Sequence, residues 1–142
     1  QSLIGNVVEP DEDSGLKVGI NGAVDDANSM HNYLMEKGQE YINQGKFEFS
    51  SNSVSSMNKE YFLIALENYF NSPKIESSII YYSGQGLQEA KLLMETTQGS
   101  YCITYEDIMI KWRQRSYPNK NKHLLMIMDC CYSGIWVSHL LD

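Results

Sequence analysis

Residues 122–134, KHLLMIMDCCYSG, decide how this chain reads, because an apolar run stops there at a small, polar, thiol-bearing turn. Leu124, Leu125, Met126, Ile127 and Met128 form an unbroken apolar block. It is too short for a lone helix and does not alternate, which predicts a central strand covered on both faces. Asp129 interrupts the block, and Cys130, Cys131, Tyr132, Ser133 and Gly134 follow. In open α/β sheets ligands sit beyond the carboxyl ends of the strands, so this turn is where chemistry is expected.

A second block has the same shape. Residues 77–82 form a short apolar strand that ends in Ser83-Gly84-Gln85-Gly86, where two glycines let the backbone approach a ligand or another chain segment closely. Outward from these two blocks the chain alternates. A first strand is expected at 2–5. A helix follows Asn21-Gly22, with Ala23, Val24, Ala27, Met30 and Leu34 on one stripe, Asp25 and Asp26 in its first turn, and Gly38 at its end. Residues 46–50 alternate charged and aromatic side chains as a half-exposed strand does, and a Ser- and Asn-rich loop follows. Residues 59–71 place Phe62, Leu63, Leu66, Tyr69 and Phe70 on one helical face, closed by Pro73. Residues 91–97 and 100–103 read as a hairpin, and Thr104 with Asp107 has the capping-box spacing that starts a helix running to about Arg115. Helices alternating with strands imply an α/β fold with a mostly parallel sheet and helices on both faces.

With 142 residues and 42% hydrophobic content, the chain suits a single domain spanning 1–142. A net charge of -7 without a basic stripe argues against nucleic acid as a partner. No run of about 20 apolar residues is present to span a membrane. Three cysteines, two of them adjacent, do not make a disulfide framework, which favours a reducing, cytoplasmic compartment. The chain begins at Gln1 and ends at Asp142 just after its main motif, so both ends read as cut.

The pattern Asp-x-Cys-x-Ser-Gly after a hydrophobic strand, here Asp129 to Gly134, resembles the nucleophile motif of metacaspases and paracaspases, the caspase-like cysteine peptidases. Their second motif, a hydrophobic strand ending in Tyr-Ser-Gly-His-Gly, is matched by residues 78–86, SIIYYSGQG, except that Gln85 stands where the family has its catalytic histidine. The segment NGAVDDANSMHNYL from Asn21 onward is similar to the family's first-helix signature, with Asp26 and Ala27 matching and Asp25 in place of Asn. The Gln-Ala-Cys-Arg-Gly motif of animal caspases does not occur. The resemblance implies a three-layer α/β/α sandwich and covers the part that corresponds to the family's large subunit.

It also implies roles. Cys131 takes the nucleophile position, the backbone N–H groups of Cys131 and Gly86 the oxyanion hole, and Asp26 and Asp129 a pocket for an Arg or Lys side chain. A paired carboxylate site suits a guanidinium fork. Asp26 fits equally well as a helix-start acid favoured by the dipole. Gln85 is neither acid nor base near neutral pH, so it cannot shuttle the proton that acyl transfer needs, and such help is worth about 10²–10⁴ in rate. The expected function is therefore a pseudopeptidase that binds a protein or peptide bearing a basic residue, or a related active peptidase or second subunit.

Two alternatives stand beside it. One is an active cysteine endopeptidase cleaving after Arg or Lys, with a base from His139, from a missing half or from another subunit; His139 better suits the surface of a terminal helix. The other is an unrelated flavodoxin-like or nucleotide-binding α/β module, although no G-x-G-x-x-G or G-x-x-x-x-G-K pattern follows the first strand. No cofactor is expected. Glu89, Glu95, Glu106 and Asp107 form no evident calcium cluster, no acid follows Cys131 before Asp142, and no His/Cys spacing suggests zinc. Cys130, Tyr81 and Tyr82 read as packing residues, and Trp136 as core or cleft wall.

Overall fold

The fold is seen in a computed structural model that describes residues 2–6, 22–43, 51–54, 58–73, 77–96, 99–116 and 122–141. Its elements are β1 (Ser2–Asn6), α1 (Ala23–Asn43), β2 (Ser51–Val54), α2 (Lys59–Phe70), β3 (Ser77–Ser83), β4 (Gly86–Leu87), β5 (Lys91–Thr96), β6 (Gly99–Thr104), α3 (Tyr105–Arg113), β7 (His123–Asp129) and α4 (Ser133–Leu141). The class is α/β. One sheet has the order β2-β1-β3-β7, and all of its pairings are parallel. Parallel neighbours need long crossovers, which α1 and α2 supply. The strands β4, β5 and β6 form a separate antiparallel sheet inserted after β3.

Local chemistry sets the helix starts. Asn58 caps α2 by accepting a hydrogen bond from the Tyr61 N–H at 3.0 Å. Thr104 and Asp107 form a reciprocal capping box at the start of α3, with bonds of 2.9 and 3.0 Å. Asp107 also accepts from Lys59 Nζ at 2.8 Å, which ties the first turns of α2 and α3 together.

Successive strand residues point to opposite faces, and β3 separates two apolar clusters in that way. Ile80 and Tyr82 join Phe62, Leu66 and Phe70 of α2, Ile108 of α3 and Trp136 of α4 in the larger cluster. Phe70 and Trp112 meet edge to face at 5.2 Å, as do Tyr105 and Trp136 at 5.8 Å. Trp136 is therefore core. On the opposite face Tyr81 packs with Ala27, Met30 and Leu34 of α1.

Four expectations change. The helix α1 runs past Gly38 to Asn43, its last turns braced by Lys37 with Glu40 and by Gln39 with Asn43. A mid-helix glycine costs only about 1 kcal/mol, which these neighbours offset. Residues 51–54, read as loop, form β2 beside β1, while the strand expected at 46–50 lies outside the described residues. The hairpin gains a third strand, β4.

The largest change concerns β7, which among the described residues stands at the edge of the sheet with one covered face, where a central strand covered on both was expected. Leu124, Met126 and Met128 pack against the larger cluster, but Leu125 is 54% and Ile127 37% exposed. The helix α1, which shields that side of the sheet, lies against β1, β2 and β3. A continuous apolar run shows that both faces avoid charge, not that both are covered.

Candidate functional site

The parallel register of β3 and β7 brings the two motifs level with each other. Tyr81 stands beside Ile127, Tyr82 beside Met128 and Ser83 beside Asp129. Both strands then end, and their turns leave the sheet side by side. The Gly84 N–H donates to the Asp129 carbonyl oxygen at 3.4 Å, a bond between the two turns.

Contact is closest at Gly86. A Cβ built on this residue would collide with the backbone carbonyl of Cys131 and lie 2.9 Å from Cys130 Sγ. Only glycine allows the β4 backbone to pass this close to the cysteine turn. The turn itself is sharp. Tyr132 has φ of 58°, the left-handed region that a bulky residue rarely occupies. The helix α4 opens immediately afterwards, with the Ile135 N–H donating to the Tyr132 carbonyl oxygen at 3.0 Å. This strand, turn and helix leave Cys131 exposed and Cys130 partly buried. Burial pushes the Cys130 thiol up to about 11, with Cys131 and Asp129 adding to the shift. Cys130 is thus a protonated packing group.

The two acids converge on the α1 side of the sheet. Ser83 Oγ donates to Asp26 Oδ2 at 3.1 Å, joining the first turn of α1 to the end of β3. Tyr81 Oη donates to Asp129 Oδ2 at 3.4 Å. Burial raises the Tyr81 hydroxyl above its ordinary value, and the nearby carboxylates of Asp129 and Asp26 raise it further. Both aspartates are exposed and Ser83 is buried between their elements. The group is an open acidic surface with a hydroxyl floor, next to the cysteine turn, and its chemistry suits a cation carrying several N–H donors.

Gln85 sits between the two features. Its carbonyl oxygen accepts from Tyr82 Oη at 3.1 Å and from the Leu93 N–H at 3.0 Å, which pins the turn to the hairpin. Tyr82 Oη lies 2.6 Å from the Leu93 carbonyl oxygen as well, so its single proton is shared between the two carbonyls. The side-chain oxygen Oε1 of Gln85 is buried and has no hydrogen-bond partner among the described residues. A buried acceptor in that state costs about 1–3 kcal/mol.

His139 stands on the last turn of α4, its ring stacked on Tyr105 at 5.1 Å. His123 opens β7 at the end away from Cys131, and His31 lies within α1. Among the described residues no group of three or more His, Cys, Asp or Glu side chains is placed to hold a metal ion. Among them, too, no helix is long and apolar enough to cross a membrane.

Tyr81, which reads from the sequence as a packing residue, and Ser83, which reads there only as part of a turn motif, both bond the acids of this group. Their signal was present in the period-two alternation of β3, which puts both on one face, with Ser83 at the strand's last position. No family model matches the chain, and no match is found among curated proteins.

Proposed function

We propose that this chain is a caspase-like domain, a three-layer α/β/α sandwich, that has lost its general base and acts by binding a protein or peptide with a basic side chain. The observation that carries the reading is the meeting of Gln85-Gly86 with Cys130-Cys131, backbone against backbone, beside the linked acids Asp26 and Asp129. Apolar clusters on both faces of β3 support the sandwich.

The chemistry follows from which parts remain. A cysteine peptidase needs a thiol that attacks the carbonyl carbon, donors for the oxyanion, and a base that takes the thiol proton and returns one to the leaving amine. Cys131 supplies the thiol, and the backbone at Gly86 and Cys131 supplies the donors. Gln85 supplies a neutral amide, which orients but transfers no proton. Arg or Lys held against Asp26 and Asp129 would bring its backbone past the Cys131 turn. The three free cysteines suit a reducing intracellular setting. In the rival reading, an active enzyme using His139, that ring would have to leave Tyr105.

Turnover of Arg- and Asp-terminated reporter peptides tests the proposal, with the protein compared against Gln85→His and Cys131→Ala. Turnover by Gln85→His alone, selective for Arg, is the expected result. Turnover by the unaltered protein that Cys131→Ala abolishes would overturn the pseudopeptidase reading.

A further inference from the structure

The hydroxyls and acids on the α1 side of the sheet are paired in a set order. Tyr81 lies beside Ile127 and Ser83 beside Asp129 in the β3–β7 ladder, and residues two apart on a strand share a face. Asp129 is therefore flanked directly by Ser83 and diagonally by Tyr81. The adjacent hydroxyl serves a different acid. Ser83 Oγ donates to Asp26 Oδ2 at 3.1 Å, while the longer Tyr81 side chain reaches Asp129 Oδ2 at 3.4 Å. Each acid thus has a hydroxyl of its own. The Tyr81 ring is buried against Ala27, Met30 and Leu34, a place that phenylalanine fills equally well. A hydroxyl buried there costs free energy unless it is bonded, and the bond it makes is to Asp129.

We infer that Tyr81 is a positioning residue that, through Asp129, makes the acidic pair select Arg over Lys. Such selectivity rests on Asp26 and Asp129 being the pocket for a basic side chain proposed above. A carboxylate has about four acceptor sites and one hydroxyl occupies one of them, so each acid keeps capacity for a cation while one oxygen is tethered to the floor. Tethering fixes direction. The two acids come from different elements, α1 and β7, and their hydroxyls hold them in register with each other from the strand between.

Charge alone treats the two bases alike, since each carries one positive charge. Direction does not. A guanidinium is a planar fork whose N–H groups point along set lines, so it gains most from carboxylates already held in place around it. An ammonium is a compact charge with three turning donors, and it meets a carboxylate in almost any rotamer. At 3.4 Å the Tyr81 bond is long for O–H···O, so it counts as an orienting contact and not as a strong bond. Arg is the base that orientation favours.

Calorimetric titration of the full chain with three peptides, alike except for Arg, Lys or citrulline at one position, tests this. The unaltered protein is expected to bind the Arg peptide about tenfold more tightly than the Lys peptide, and citrulline least. Tyr81→Phe keeps the ring and removes the hydroxyl. It is expected to weaken Arg binding about three- to tenfold and Lys binding less than about twofold, so the preference narrows. In an Asp129→Ala background the same substitution changes Arg binding no further, because the acid it orients is gone. Equal loss of Arg and Lys binding in Tyr81→Phe marks a loosened site and overturns the inference, as does an undiminished Tyr81→Phe effect on top of Asp129→Ala. Equal binding of Arg and Lys peptides by the unaltered protein also overturns it, while the basic pocket stands. Binding of neither peptide, or of citrulline as well as Arg, brings down the pocket and the selectivity with it.

Discussion

Asp129 stands beside Ser83 across the β3–β7 ladder, and Ser83 in turn donates to Asp26. Two hydroxyls, those of Ser83 and Tyr81, therefore hold the acids supplied by the first helix and by β7. If that group recognises a basic side chain, Asp26→Asn and Asp129→Asn should each weaken binding of an Arg-containing peptide by about 1.5–3 kcal/mol, the worth of a charge-assisted hydrogen bond. Ser83→Ala should weaken it less, because the hydroxyl positions Asp26 and carries no charge. Calorimetric titration with an Arg peptide, and with citrulline in its place, checks this. Equal binding of both peptides would sink the acidic-pocket reading.

Gly86 is predicted to tolerate no side chain. Gly86→Ala sets a methyl group against the Cys131 carbonyl, where the neighbour is backbone and cannot swing away. A cost of about 1–3 kcal/mol is expected, typical of overpacking, with a melting temperature lower by several degrees. Gly134→Ala, with open space around the corresponding position, is the control. Equal melting of the two variants would contradict the close approach.

The thiols should separate kinetically. Burial holds the Cys130 proton to about pH 11, and the thiolate is the reactive form. Iodoacetamide at neutral pH should label exposed Cys131 well before Cys130, and Cys130 should become reactive only in strong alkali. Peptide mapping by mass spectrometry reads this directly. Faster labelling of Cys130 at neutral pH would mean that the turn is open.

The capping box gives an acid-sensitive joint. Burial raises the Asp107 carboxyl, but its bonds from Lys59 and Thr104 outweigh this and hold it below the ordinary carboxylate range. A depressed folded value means the stabilisation is present above the ordinary carboxylate value and is lost as pH falls through the lowered one. Thr104→Ala should cost about 1 kcal/mol at neutral pH. Asp107→Asn should flatten the acid limb of the stability curve, measured by urea unfolding from neutral pH downward. An unchanged acid limb would show that Asp107 does not titrate with folding.

Much of this was legible in the chain. The capping box at Thr104 and Asp107, the helix start near Asp26 and the strands carrying Ser83 and Asp129 all follow from local chemistry. The strand 51–54 was not legible, because Ser and Asn have low strand propensity and pairing with β1 overrides it. The edge position of β7 was hidden for a different reason. An apolar side chain reads the same whether a helix covers it or not, and whether α1 reaches Leu125 depends on sheet order. The bond from Ser83 to Asp26 joins distant segments, which no local pattern encodes.

The contact of Gly86 with Cys131 is main chain against main chain. The shape of the cleft floor is therefore fixed by peptide units and not by whichever side chain stands at position 85. If position 85 once held a histidine, as the proposed function has it, its exchange for glutamine would stop proton traffic while leaving that backbone contact standing.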